Sequence, residues 1–251
     1  MWSNHINYDG IMRTHQLVLT WIEKQLSDGR LSVGGRLPAE RTLAEQLGVS
    51  RTSVREAIRI LEAMGVVRAG VGSGPEAGTV VISDPTAALG SALRLHVATQ
   101  HLPVSDIVET RILLESWAAS RARADAPELE QAAMLLDEMD AVEHVAQAAD
   151  NFLALDVRFH LAVADAAGNA VVSAMMGSLR ESIQGYTARF TANLPDWDAT
   201  AQRLQAEHRE ILAAIRNDDG ARAARLVAAH IEGYYQEAGV NPAGEGPARP
   251  R

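Results

Sequence analysis

The pattern of hydrophobic and polar positions changes character near Ser83. Before that point, apolar residues at helical spacing give way to "VVRAGVGSGPEAGTVVI", two short β-branched runs around a Gly-rich turn. Such a pattern predicts a β-hairpin. After "SDPTAA", where Pro85 suits the first position of a helix, apolar residues recur every three or four positions among Ala, Leu, Glu, Arg and Gln. This spacing predicts about seven helices, near 86–100, 104–123, 127–145, 149–167, 169–191, 198–217 and 219–237. Breaks are expected at Pro103, Pro127, Gly168–Asn169, Pro195 and Asn217–Gly220.

The segment "LPAERTLAEQLGVSRTSVREAIRILEAMGVV" (Leu37–Val67) carries a finer pattern. "AERTLAEQL" reads as a short amphipathic helix with Leu43, Ala44 and Leu47 inward. Gly48 suits a left-handed helix stop. Ser50 then caps a second helix whose core face is Val54, Ala57, Ile58 and Leu61. Two helices joined by such a turn form a helix-turn-helix, whose second helix lies in the major groove of DNA. Arg51, Thr52, Ser53 and Arg55 occupy its first turn and a half, where side chains reach base edges and phosphates. The hairpin that follows is expected to act as a wing.

Composition sharpens this division. The chain has a net charge of −9 and no Cys, which excludes disulfides and thiolate metal sites. Residues 1–83 hold 9 Lys+Arg against 8 Asp+Glu, so the acidic excess lies in residues 84–251. This balance argues against indiscriminate coating of nucleic acid and is compatible with one local basic face. No apolar run approaches the roughly 20 residues of a membrane helix, so no membrane association and a cytoplasmic location are expected. The domains expected are residues 1–83, residues 84–238 and a disordered Pro/Gly-rich tail, 239–251. The fold class is mainly α: a winged helix-turn-helix joined to an antiparallel bundle.

Three histidines fall inside strong helical patterns: His160, His208 and His230. Asp156 precedes His160 by four residues, so the two share one helix face. Inward side chains on facing helices can build a metal site, and imidazole with carboxylate suits Zn, Ni, Co, Mn or Fe. Spacing alone leaves open whether these residues are ligands or ordinary helical histidines.

The Leu37–Val67 stretch resembles the winged helix-turn-helix of GntR-family bacterial transcription regulators, with its L-P-[SA]-E-R and G-V-S-R-x-x-V-R-E-A segments. The resemblance implies operator contacts by Arg41, Ser50, Arg51, Thr52, Ser53 and Arg55, with Gly72 and Gly74 at a wing tip longer than the family's usual form. The later motifs "ETRILLE", "DVRFHLAVADAAGN", "EHREILAAI" and "ARLVAAHI" are similar to those of the FadR-type C-terminal FCD domain. That resemblance implies a divalent metal cofactor on Asp156, His160, His208 and His230. It also implies a small organic acid effector held in part by Arg111, whose alternative is an ion pair with Glu115. The expected function is a homodimeric regulator, not an enzyme: a repressor that a carboxylate effector releases from double-stranded operator DNA. The four-residue cluster also leaves a metal-dependent hydrolase or a metal sensor as alternatives.

Overall fold

The computed structural model describes residues 8–70, 78–99, 101–141, 149–192 and 194–239. The chain divides into two compact units, residues 1–88 and 89–251. The division falls five residues beyond Ser83, inside the helix that Pro85 opens.

The first unit contains α1 (Tyr8–Ser27), α2 (Glu40–Leu47), α3 (Arg51–Ala63), β1 (Val67–Gly70) and β2 (Gly78–Val81). Its core joins Val18 and Ile22 of α1 to Leu43 and Ala44 of α2, to Val54, Ala57, Ile58 and Leu61 of α3, and to Val67 and Val81 of the hairpin. The turn between α2 and α3 is local in origin. Gly48 is left-handed, at φ 65°, and its N–H reaches the Ala44 carbonyl, while the Ser50 hydroxyl accepts the Ser53 N–H at 3.0 Å. The strands pair antiparallel from Val67 opposite Val81 to Gly70 opposite Gly78, and Arg36 forms an isolated antiparallel bridge with Val80 of β2. Gly72 and Gly74, expected to contact DNA, lie outside the described residues, as do residues 240–251 of the expected tail.

Gly65 ties the end of α3 to the chain leaving the hairpin. Its φ is +69°, and a Cβ there would lie 2.0 Å from the Asp84 carbonyl oxygen. Only a residue without a Cβ allows that approach. The Asp84 N–H donates to the Gly65 carbonyl at 3.0 Å and the Ile82 N–H to Val66 at 2.8 Å.

The seven expected helices are all present: α4 (Pro85–Ala98), α5 (Val104–Arg121), α6 (Glu128–Asp140), α7 (Ala149–Ala166), α8 (Ala170–Ala192), α9 (Trp197–Arg216) and α10 (Gly220–Glu237). α6 is shorter than its pattern suggested, capped at Ala141. Side chains mark several starts: Asn169 Oδ1 accepts the Val171 and Val172 N–H groups, and Asp196 and Asp219 cap α9 and α10. Helix α5 packs chiefly on α10, and α6 on α7. The bundle core includes Phe152, Phe159, Ile211 and Tyr235, with Trp197 edge-on to Phe152 at 5.4 Å. This packing turns one face each of α5, α7, α8, α9 and α10 toward a common interior.

Candidate functional site

In the first unit, α3 divides cleanly into a buried and an exposed face. Arg51, Thr52 and Arg55 are exposed. Arg41 is also exposed and pairs with Glu45 at 3.4 Å. Arg55 is held by Glu40, its Nε and Nη2 donating at 3.3 and 2.9 Å. Ser53 departs from the expectation. It is only 8% exposed, and its hydroxyl lies 2.9 Å from Ser50 Oγ and 3.0 Å from Thr14 Oγ1. Position 53 shares its helical face with Ala57, four residues on, so it braces the start of α3 instead of facing solvent.

In the bundle, Asp156 and His160 of α7, His208 of α9 and His230 of α10 come together. One potential ligand atom from each lies within 4.8 Å of all the others. Asp156 Oδ1 stands 3.1 Å from His208 Nε2, 3.5 Å from His160 Nε2 and 4.0 Å from His230 Nε2. Phe159 lies against the His208 ring at 4.6 Å. The nitrogens of His208 are buried without a hydrogen bond among the described residues, although Asp156 Oδ1 stands 3.1 Å from Nε2.

Two further carboxylates orient the imidazoles from behind. His160 Nδ1 is 2.7 Å from Glu115 Oε2, and His230 Nδ1 is 2.8 Å from Glu207 Oε2. An ionised carboxylate only accepts, so each Nδ1 carries a proton. Yet the two Nε2 atoms stand 3.2 Å apart. Two facing lone pairs at that distance repel unless a cation or a proton lies between them.

Burial sets the charge states. His208 is pulled down to about 3, first by burial and then by the neighbouring His230. Burial also lowers His230, against the pull of Glu207. Both imidazoles are therefore neutral near pH 7, the form that binds metal. Burial opposes ionisation of Asp156, but His160, His208 and Arg180 outweigh it and hold the carboxyl well below its usual range. Glu115 is likewise held low, against burial, by Arg180, Arg111 and His160.

A cavity of about 510 Å³ opens onto this cluster. Asp156, His160, His230, Arg111, Arg180, Tyr234 and Tyr235 supply its polar wall, and Leu153, Ile183 and Ile231 part of its apolar one. His208 lies behind, fully buried. Arg111 lines the cavity and also pairs with Glu115 through Nε at 2.9 Å. Its Nη1 donates to the Tyr235 hydroxyl at 2.7 Å. Sequence reasoning missed Arg180, Glu207 and the hub role of Glu115. A usable signal existed for Arg180: a cation on the apolar stripe of Met176 and Ile183. Nothing local marks Glu207 as the partner of His230, because the pair spans two helices.

Residues 16–76 match the family model for bacterial regulatory proteins of the gntR family, and residues 106–233 match the FCD domain. The chain belongs to the GntR family, in its FCD-containing branch. The HTH-type transcriptional regulator LutR of Bacillus subtilis is 31% identical over 225 residues, covering 84% of this chain and 98% of that protein. The Uxu operon transcriptional regulator of Escherichia coli is 31% identical over 239 residues, covering 89% and 86%. A solved Streptococcus agalactiae GntR structure matches with a TM-score of 0.62 and 26% identity, over 90% of this chain and 99% of that one. This GntR-family chain is therefore a transcription regulator with a DNA-binding domain. Its domains and relatives are those of regulators, which leaves the hydrolase alternative without support. Among the described residues no helix is long and apolar enough to cross a membrane.

Proposed function

We propose that this regulator is a cytoplasmic homodimeric repressor, released from its operator when a small carboxylate occupies the bundle cavity beside a divalent cation. The observation that carries the reading is the 3.2 Å approach of His160 Nε2 to His230 Nε2, with both Nδ1 atoms committed to carboxylates. Asp156, His160, His208 and His230 would hold the cation, and the unsatisfied nitrogens of His208 fit that role. Three imidazoles and one carboxylate suit Zn, Ni, Co, Mn or Fe. When bound, the cation supplies a Lewis-acidic charge to which a carboxylate oxygen can bind. Arg111 adds a guanidinium at the same wall of the cavity, where charge-assisted hydrogen bonds favour an anion.

In the first unit, Arg51, Thr52 and Arg55 would meet the operator, supported by Arg41, by Ser50 at the helix start and by Gly72 and Gly74. Ser53 is withdrawn from that set because it is buried. One winged module buries little surface, so two copies on a near-palindromic operator provide the specificity. An effector changes DNA affinity only if it binds the DNA-competent and DNA-incompetent states unequally. One similar regulator, the Glc operon protein of Escherichia coli, 27% identical over 213 residues, is named an activator, the opposite sign.

The test is an electrophoretic mobility shift with the metal-loaded protein, its own promoter region and a series of small carboxylates. The expected result is loss of the shifted band with one of them, and no such response after chelation. A band strengthened by the carboxylate would overturn the sign. A response that survives chelation would remove the metal from the mechanism.

A further inference from the structure

Arg180 is a buried cation to which the recognised motifs give no task. It sits in mid-α8 with a side chain only 4% exposed. Arg is seldom buried this far unless it is paired. Its Nη1 donates to Asp156 Oδ2 at 3.1 Å and its Nη2 to Glu115 Oε2 at 3.0 Å. We propose, resting on the metal reading above, that Arg180 is a positioning residue for the metal ligands. Through one guanidinium it sets the orientation of Asp156 directly and of His160 by way of Glu115.

The two oxygens of Asp156 have different tasks. Oδ1 faces the Nε2 atoms of His208, His160 and His230, whereas Oδ2 is held by Arg180. A carboxylate pinned at one oxygen cannot swing, so Oδ1 stays turned toward the imidazoles. On the other side, Glu115 Oε2 receives both Arg180 Nη2 and His160 Nδ1. The oxygen that fixes the His160 tautomer is thereby itself fixed, which is how outer groups commonly orient metal-binding histidines. The guanidinium does this because its planar fork spans two carboxylates in a set register. A lysine ammonium carries the same charge on three rotatable donors from one atom, so it does not fix the two carboxylates in that register.

The rival reading is a buried ion network that supports the fold alone, whose loss would lower stability without a specific effect on metal. The two part company wherever a variant stays folded. Arg180→Lys and Arg180→Met are compared with wild type in the intact protein by three measurements: zinc(II) titration against a competing chelator, thermal melting without zinc, and ¹⁵N NMR of the His160 imidazole.

Wild type is expected to take one zinc per chain, with His160 protonated at Nδ1 in the zinc-free state. Arg180→Lys, which keeps the buried charge, is expected to fold with a lowered melting temperature, to lose about 10- to 100-fold in zinc affinity, and to show His160 as a mixture of tautomers. Arg180→Met should lose at least as much affinity; if it does not fold, Arg180→Lys decides. Wild-type zinc affinity and an unchanged His160 spectrum in Arg180→Lys would overturn the role of Arg180 alone. Failure of the wild-type protein to bind zinc would bring down the metal reading and this inference together.

Discussion

The buried imidazoles make the metal-free bundle sensitive to acid by an amount that can be worked out. His208 falls to about 3 in the folded protein, by burial and then by His230, against an ordinary value of 6.5. Between those two values the unfolded chain binds more protons than the folded one, so stability rises with pH. The stability is fully present above about pH 6.5 and is lost as pH falls toward about 3. One imidazole that is neutral when folded and protonated when unfolded gives a slope of about 1.4 kcal/mol per pH unit.

At pH 5.5 an unperturbed histidine is about nine-tenths protonated, so His208 alone contributes about 1.2 kcal/mol per pH unit there. His230, also lowered by burial, adds to the slope with the same sign. Asp156 and Glu115 are held well below their ordinary values, so their stabilisation is lost mainly at more acid pH. Between pH 5 and 6 the histidines therefore give the larger part of the slope, and the lowered carboxylates, Glu40 and Glu207 among them, the smaller. The assay is amide hydrogen exchange of α7, α9 and α10 in chelated protein at pH 5.0, 5.5 and 6.0, corrected for intrinsic exchange rates. His208→Leu, whose side chain suits the Phe159 wall, should reduce the wild-type slope by about 1.2 kcal/mol per pH unit. Equal slopes in the two proteins, or a bundle that gains stability on acidification, would refute the reasoning.

Three more outcomes are expected. Glu207→Gln weakens the acceptor behind His230 Nδ1 and should lower zinc affinity about tenfold or more, measured by chelator competition. Arg51→Ala should cost about 1–3 kcal/mol of operator affinity and lower the salt slope by about 1, whereas buried Ser53→Ala should leave the salt slope unchanged; fluorescence anisotropy over a range of salt separates the two. Gly65→Ala forces a side chain into a left-handed position against the Asp84 carbonyl and should destabilise residues 1–88 by more than about 2 kcal/mol in urea unfolding.

The helix-turn-helix was legible because its signals are local. Gly48 and Ser50 punctuate the chain at the turn, and the core faces of α2 and α3 follow from period alone. Ser53, expected among the operator contacts, is buried because it shares its helical face with Ala57. The seven bundle helices were readable from spacing and breakers for the same reason. The cluster was legible only in part. Asp156 and His160 share a face by their i, i+4 spacing, but periodicity cannot tell which faces of different helices meet. His208 and His230 joined them through family motifs, and Glu207 was beyond reach because its bond to His230 exists only after α9 and α10 pack. The helix opened by Pro85 runs through the division between the two units, five residues beyond Ser83.

Glu115 touches His160, Arg111 and Arg180, and Arg111 continues to Tyr235, so one carboxylate on α5 links side chains from α7, α8 and α10. Altering the ligand preference of the cavity is consequently a collective exchange. A variant meant to accept a neutral or cationic inducer cannot simply discard Arg111, since the charge left on Glu115 would draw on the remaining two contacts and tilt the imidazole. Laboratory evolution of this bundle toward a new inducer should therefore yield paired changes at 111 and 115, with single substitutions at either position selected against.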